Sequence, residues 1–145
     1  MISPELVKAY CDASYVIYGE DGDIQLRVNQ PCLDLTALMR KHGVRSAALL
    51  TAFNPHSILS TTETNVRNHN ALITDLQSLG LKSISGEGED PSKLWPSEPS
   101  VLVLGIPLPS AELLADRYGQ NGYLWIASDD GVVNLNLRYP IGGPS

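Results

Sequence analysis

A chain of 145 residues, 43% hydrophobic and 18% charged, has the length of one domain of roughly 100–200 residues and the composition of a globular protein, which excludes disorder and a long coiled coil. Ten Lys and Arg leave a formal net charge of -6 and stand singly except at Arg40-Lys41, so a nucleic-acid groove, which needs clustered cations, is not expected. No apolar run approaches the roughly 18 residues of a membrane span, Cys11 and Cys32 lack metal-ligand or redox spacing, and "MISPELVKAY" carries no export signal, so the expectation is a soluble cytoplasmic protein with reduced thiols.

In chain order, Ser3-Pro4 reads as a helix cap followed by proline at the first helical position, giving a helix from about Pro4 to Asp12. "SYVIY" and "DIQLRV" flank the turn cluster "GEDG", a hairpin signal. "PCLDLTALMRKHG" places Leu35, Leu38 and Met39 at helical spacing, has cations in its last turn and stops at Gly43. "RSAALLTAF" alternates too little for an edge strand and reads as a strand covered on both faces.

Ser60 and Glu63 stand in the S-x-x-E spacing of a capping box, predicting a helix from Thr61 that ends before Gly80. "LKSIS" reads as a short strand, and "GEGEDPSKLWPSEPS", rich in Gly, Pro and Ser, as a long ordered loop. "VLVLGI" is a buried strand, and "PSAELLADRYG" a helix capped by Ser110 and closed by Gly119. "YLWIA" and "VVNLNLR", joined by "SDDG", form a hairpin with Val133, Leu135 and Leu137 on one side and Asn134, Asn136 and Arg138 on the other. From about residue 139 the chain reads as a tail. The expected fold is a single α/β domain: a mixed sheet of about five to seven strands with hairpins at both ends, covered by three to four helices.

The segment "TAFNPHSILSTTETNVRNHN" stands apart. If the strands ending at Phe53 and Ile106 run parallel, the loops "NPHS" and "PLPS" leave the sheet at one edge, where open α/β sheets place ligands. On the following helix, Leu72, Leu76 and Leu79 form the core stripe, which continues N-terminally through Asn65, Asn68 and His69, with Arg67 off the stripe. Two readings stay open. Asn54 and Asn65 can satisfy the backbone of a tight X-Pro turn, or the amides, His56, Ser57, Arg67 and the helix start can hold an anionic or carbonyl-bearing ligand.

Ser57 with His56 or His69 lacks an acidic orienter for a hydrolytic triad. His56 and His69 with Glu87, Glu89 and Asp90 match no metal-ligand spacing, so no metal site is expected. Trp95 in "LWPSEPS" reads as a loop anchor or a pocket wall, and Glu98 beside it as an acceptor for nearby N–H groups or a partner for a cation.

Taken in order, "TAFNPHS", "ETNVRN", "GEGEDP", "WPSEPSVLVLGI" and "RYGQNGYLWI" resemble a bacterial family known as domain of unknown function 3293, from about Leu49 to Arg138. The resemblance implies an intracellular bacterial protein and singles out Asn54, Pro55, Ser57, Asn65, Arg67, Trp95, Glu98, Gly119 and Gln120, without a role for any. The functional expectation is a domain that binds an unknown small ligand or protein partner at the "NPHS" and "WPSEPS" edge, without catalysis or cofactor. The alternatives are an enzyme acting on a nucleotide-like or phosphorylated small molecule, and an inhibitor or interaction module with a basic partner. Arg67 and Glu98 are expected to be exposed charges that can be removed with little effect on folding.

Overall fold

The computed structural model describes residues 1–91 and 97–142. Among them are four α-helices and seven strands. Helix α1 (Pro4–Asp12) starts where the Ser3 hydroxyl accepts the Leu6 N–H at 3.2 Å. Strands β1 (Ser14–Gly19) and β2 (Gly22–Leu26) form the first hairpin, followed by α2 (Leu33–Lys41) and β3 (Ser46–Leu50). A short 3-10 turn (Pro55–Ser57) leads to α3 (Thr62–Ser78), then come β4 (Lys82–Glu89), β5 (Glu98–Leu104), α4 (Leu108–Arg117) and the closing hairpin of β6 (Gly122–Ala127) and β7 (Val133–Leu137).

The strands lie in the order β2-β1-β4-β5-β3-β6-β7, and among the described residues every neighbouring pair is antiparallel. Side chains alternate between the two faces, so each central strand feeds two cores. Ala47 and Leu49 of β3 join Leu102 and Leu124 under α1 and α2, through Ala9, Ala13, Leu35 and Met39. Ala48 and Leu50 join Val101 and Val103 under α3 and α4, through Leu72, Leu76, Ala111 and Leu114. The Asn29 N–H donates to Val133 O at 2.7 Å and the Val133 N–H to Gln30 O at 3.0 Å. The chain beyond one edge strand thus meets the start of the other, and the sheet curls around the first core.

Several expectations change. The strands ending near Phe53 and Ile106 run antiparallel, with Leu50 opposite Val101 and Ala47 opposite Leu104, so "NPHS" and "PLPS" leave opposite ends of the sheet. The same antiparallel pairing sets the start of β5 beside the end of β3, where the Thr51 hydroxyl donates to Pro99 O at 2.8 Å. "GEGE" is not loop but the second half of β4. Gly86 serves close approach: a Cβ there would stand 2.6 Å from Val16 O and 2.9 Å from Ile17 Cδ1.

Thr61, not Ser60, caps α3, and its hydroxyl accepts the Thr64 N–H at 3.1 Å. The Ser60 N–H expected to meet Glu63 donates instead to Asn54 Oδ1 at 3.0 Å, which keeps the chain extended one residue longer. Helix α4 opens at Pro107 with no side-chain cap rather than at Ser110, the fixed φ of Pro107 and Pro109 starting it. Leu79 is the C-cap of α3 and is exposed, outside the core stripe. The segment from residue 139 is no free tail, because Ile2 and Ile141 form a bridge, with the Ile2 N–H on Pro140 O at 2.9 Å and the Gly142 N–H on Ile2 O at 2.7 Å.

Candidate functional site

The site is built where β3 ends, α3 begins and β5 begins. Asn54 sits in the left-handed region at φ 46° and is buried, and its side chain works as a bridge. Asn65 Oδ1 accepts the Asn54 backbone N–H at 2.9 Å, and Asn65 Nδ2 donates to Asn54 Oδ1 at 2.8 Å. The Ser60 N–H donates to the same oxygen. Two backbone N–H groups, which can only donate, therefore dictate both amide orientations, and Asn54 Nδ2 is left to donate to Glu98 Oε1 at 3.3 Å. This network satisfies the turn and delivers a donor to a buried carboxyl, so the structural and functional readings of these amides meet in one arrangement.

Glu98 is 9% exposed. Burial pushes its carboxyl up to about 7, with the Asn54 amide pulling in the opposite direction. The expectation of an exposed charge fails because Glu98 opens β5 in register with Gly88, beneath the "NPHS" turn instead of on the sheet rim.

That turn is strained. Asn54, His56 and Ser57 all have positive φ, at 46°, 58° and 59°, conformations that cost roughly 1–3 kcal/mol each. The His56 N–H holds the turn through Gly119 O at 2.7 Å, and a Cβ on Gly119, itself at φ 64°, would stand 3.0 Å from Pro55 Cβ. Such backbone persists only where the surroundings over-determine it. Here it sets the Ser57 hydroxyl against the Tyr10 hydroxyl of α1. Asn121 Nδ2 donates to the same phenol oxygen at 3.0 Å, and the Tyr15 hydroxyl donates to Tyr10 O at 2.9 Å. Burial raises the Tyr10 phenol, partly offset by its bonds to Ser57 and Asn121, so it stays protonated at neutral pH.

Beside Glu98 lies a cavity of about 70 Å³, lined among others by Tyr10, Ser57, Glu98, Ser100, Gln120 and Asn121. One water needs roughly 10–15 Å³ by this measure, so the space takes a few waters or the head of a small molecule, not a whole cofactor. Gln120 Nε2 donates to Phe53 O and Tyr118 O, both at 3.1 Å, tying the end of α4 to the loop. Ser100 is 5% exposed and among the described residues its hydroxyl has no hydrogen-bond partner, an uncommon state for a buried polar group.

Of the residues singled out from sequence, Asn54, Ser57, Asn65, Glu98 and Gln120 come together. His56 is exposed, and its ring lies 5.7 Å from that of Tyr139 rather than on the cavity. Arg67 is exposed on α3 and Asn68 half-buried, neither lining the cavity. Trp95 lies outside the described residues. His69 packs edge-on against Phe53 at 5.9 Å, and burial lowers its pKa. Sequence reasoning missed Tyr10, Ser100 and Asn121. Asn121 carried a weak signal, following Gln120 between a helix end and a strand, while Tyr10 meets it from 111 residues away and carried none.

The family model described as "Protein of unknown function (DUF3293)" matches residues 50–122, which include the loop, α3, β5 and Gln120. No curated protein and no solved structure matches the chain.

Proposed function

Because this chain belongs to the DUF3293 family, whose description names no activity, we propose from the site alone that it binds a small polar molecule in the cavity beside Glu98. The observation that carries the reading is the buried Glu98 carboxyl in the cavity wall, two residues along β5 from a Ser100 hydroxyl that has no partner among the described residues. Leaving such groups unpaired costs roughly 1–3 kcal/mol, which a bound ligand with matching groups recovers. A carboxyl in the wall works against phosphate, so the nucleotide-like or phosphorylated ligand is the weaker fit. Binding without chemistry is the simpler account. A second reading, catalysis, is favoured by one observation: a carboxyl at about 7 can exchange a proton at neutral pH.

The reading includes a bacterial, cytoplasmic setting, which the two unpaired thiols of Cys11 and Cys32 support. It takes a small molecule as the partner, in preference to nucleic acid or a basic protein.

Ligand-observed NMR with a panel of small polar fragments tests the site. Binding fragments should compete with one another and lose their signal when Ser100→Leu fills the cavity, with the fold checked by amide spectra. Fragments that bind Ser100→Leu as well as they bind the parent would remove the cavity from consideration.

A further inference from the structure

The cavity wall has a bias in its hydrogen-bonding groups. The amide donors of its lining are largely engaged: Gln120 Nε2 gives both N–H groups to backbone carbonyls, and Asn121 Nδ2 gives one to the Tyr10 phenol oxygen. Behind the wall, Asn54 Nδ2 is engaged by Glu98 itself. The Gln120 pair fixes that amide's orientation, since backbone carbonyls accept only donors. Among the described lining residues the Glu98 carboxyl, Gln120 Oε1 and Asn121 Oδ1 can only accept once Glu98 is ionised, and the Ser57 and Ser100 hydroxyls beside them can also accept. Among the described residues Glu98 has one side-chain donor, the Asn54 amide, at the long distance of 3.3 Å. A buried carboxylate needs better compensation than that, and a cation supplies it.

Resting on the reading that this cavity binds a small ligand, we infer that the ligand presents a cationic nitrogen head, a primary ammonium or an amidinium, whose N–H groups face the Glu98 carboxylate and the surrounding side-chain oxygens. The Ser100 hydroxyl, without a partner among the described residues, lies in the same wall two residues along β5 from Glu98. Size agrees: about 70 Å³ admits a head of a few heavy atoms, and the rest of the molecule extends through the opening. The chain's formal charge of -6 adds a field that draws cations.

The ionisable groups that sense one another around Glu98 are Tyr10 and Cys11 from α1, Tyr15 from β1 and Asp90 just after β4. Burial raises both phenols, so neither titrates near neutrality. A carboxyl at about 7 is roughly nine-tenths ionised at pH 8 and one-tenth at pH 6, so affinity for a permanently charged head should fall about tenfold between them.

The test titrates the full chain with ethylammonium, acetamidinium, neutral acetamide, acetate and inorganic phosphate, following the amide signals of Asn54, Asn65, Glu98 and Ser100. Expected are saturable shifts with either cation at pH 8, at least tenfold weaker binding of acetamide, and about tenfold loss at pH 6 or in Glu98→Gln. Ser100→Ala, which leaves the carboxyl in place, should weaken the cations a few-fold. Acetamide, acetate or phosphate binding the same residues as tightly as the cations overturns the cationic head while leaving the binding site standing. Cation binding unchanged in Glu98→Gln also overturns it. If none of the probes shifts these signals, both this inference and the binding site fall together.

Discussion

Two polar clusters tie this chain together, and they differ in burial. At one end of the sheet, Asn54, Asn65 and Glu98 join loop, helix and strand, all three 4–9% exposed. At another, Arg138 just past β7 clamps α4, with Nε and Nη2 on the two oxygens of Asp116 at 2.8 and 2.9 Å and Nη1 on Glu112 at 2.6 Å. The second has formal charges and shorter contacts, yet its side chains are 24–49% exposed and remain open to water and salt. Burial, more than the charge or length of the bonds, decides how much a polar contact governs the fold. In the buried cluster each lost partner leaves a group that water cannot reach.

Breaking the buried cluster should have the largest effect. Asn54→Ala removes the acceptor for Ser60 and Asn65 and the donor to Glu98, and leaves a left-handed alanine. A loss of about 3 kcal/mol or more is expected in urea melts. Asn54→Gly keeps the backbone conformation and should recover roughly 1–2 kcal/mol of it, while Asn65→Ala should cost roughly 1–3 kcal/mol. Equal melts for Asn54→Ala and the parent would show that the network stabilises nothing.

Next comes Glu98. Its pKa in the fold, about 7, lies above its ordinary 4.5, so its contribution is fully present below pH 4.5 and is lost as pH rises through 7. The full span corresponds to roughly 3 kcal/mol at most, less to the extent that cavity water solvates the carboxylate. Glu98→Gln, which keeps an acceptor for Asn54, should flatten this decline, so that the variant is the more stable form at pH 8. Urea midpoints measured at pH 5 and pH 8 decide it, and parallel behaviour of the two proteins would mean that Glu98 is solvated.

The exposed cluster should respond less and in the opposite pH direction. Its hydrogen bonds to Arg138 hold the Asp116 carboxyl below the usual range, so this contribution is present near neutrality and lost as pH falls through the lowered value. Arg138→Ala should cost about 1 kcal/mol at low ionic strength and less in molar salt, whereas the cost of Asn65→Ala should not change with salt. A salt-independent Arg138→Ala effect would remove the contrast between the clusters. Smallest of all, Arg67→Ala on the exposed face of α3 should stay within about 0.5 kcal/mol by thermal melt and leave fragment binding unaltered.

The elements whose cause is local were legible in the residues. Ser3-Pro4 opens α1 where its cap requires, Gly43 and Gly80 close α2 and α3, and the two-residue alternation of "VVNLNLR" gives β7 its faces. Legibility failed where a residue had a distant partner. Ser60 gave up the capping role to Thr61 because its own N–H goes to Asn54, and Gly86 of "GEGE", read as a loop signal, serves the close approach of β1 to β4. At the site, Asn54 and Asn65 were visible because they lie eleven residues apart on a turn and the helix after it. Tyr10 and Ser100 were not, since nothing nearby in the chain distinguishes them from ordinary helix and strand residues.

Helix and strand periods, caps and stop glycines are interactions among residues a few positions apart, and for that reason four helices, two terminal hairpins and a polar turn at Asn54 can be read from neighbouring residues. Strand direction and burial depend on how distant segments pack. Long-range packing sets β3 and β5 antiparallel, which brings Glu98 to Asn54 across 44 residues, and encloses this carboxyl with Tyr10, Ser100 and Asn121 rather than turning it to water. A glutamate at the start of a strand carries no local mark of its eventual environment, because the desolvation that sets its chemistry comes from the whole fold closing around it.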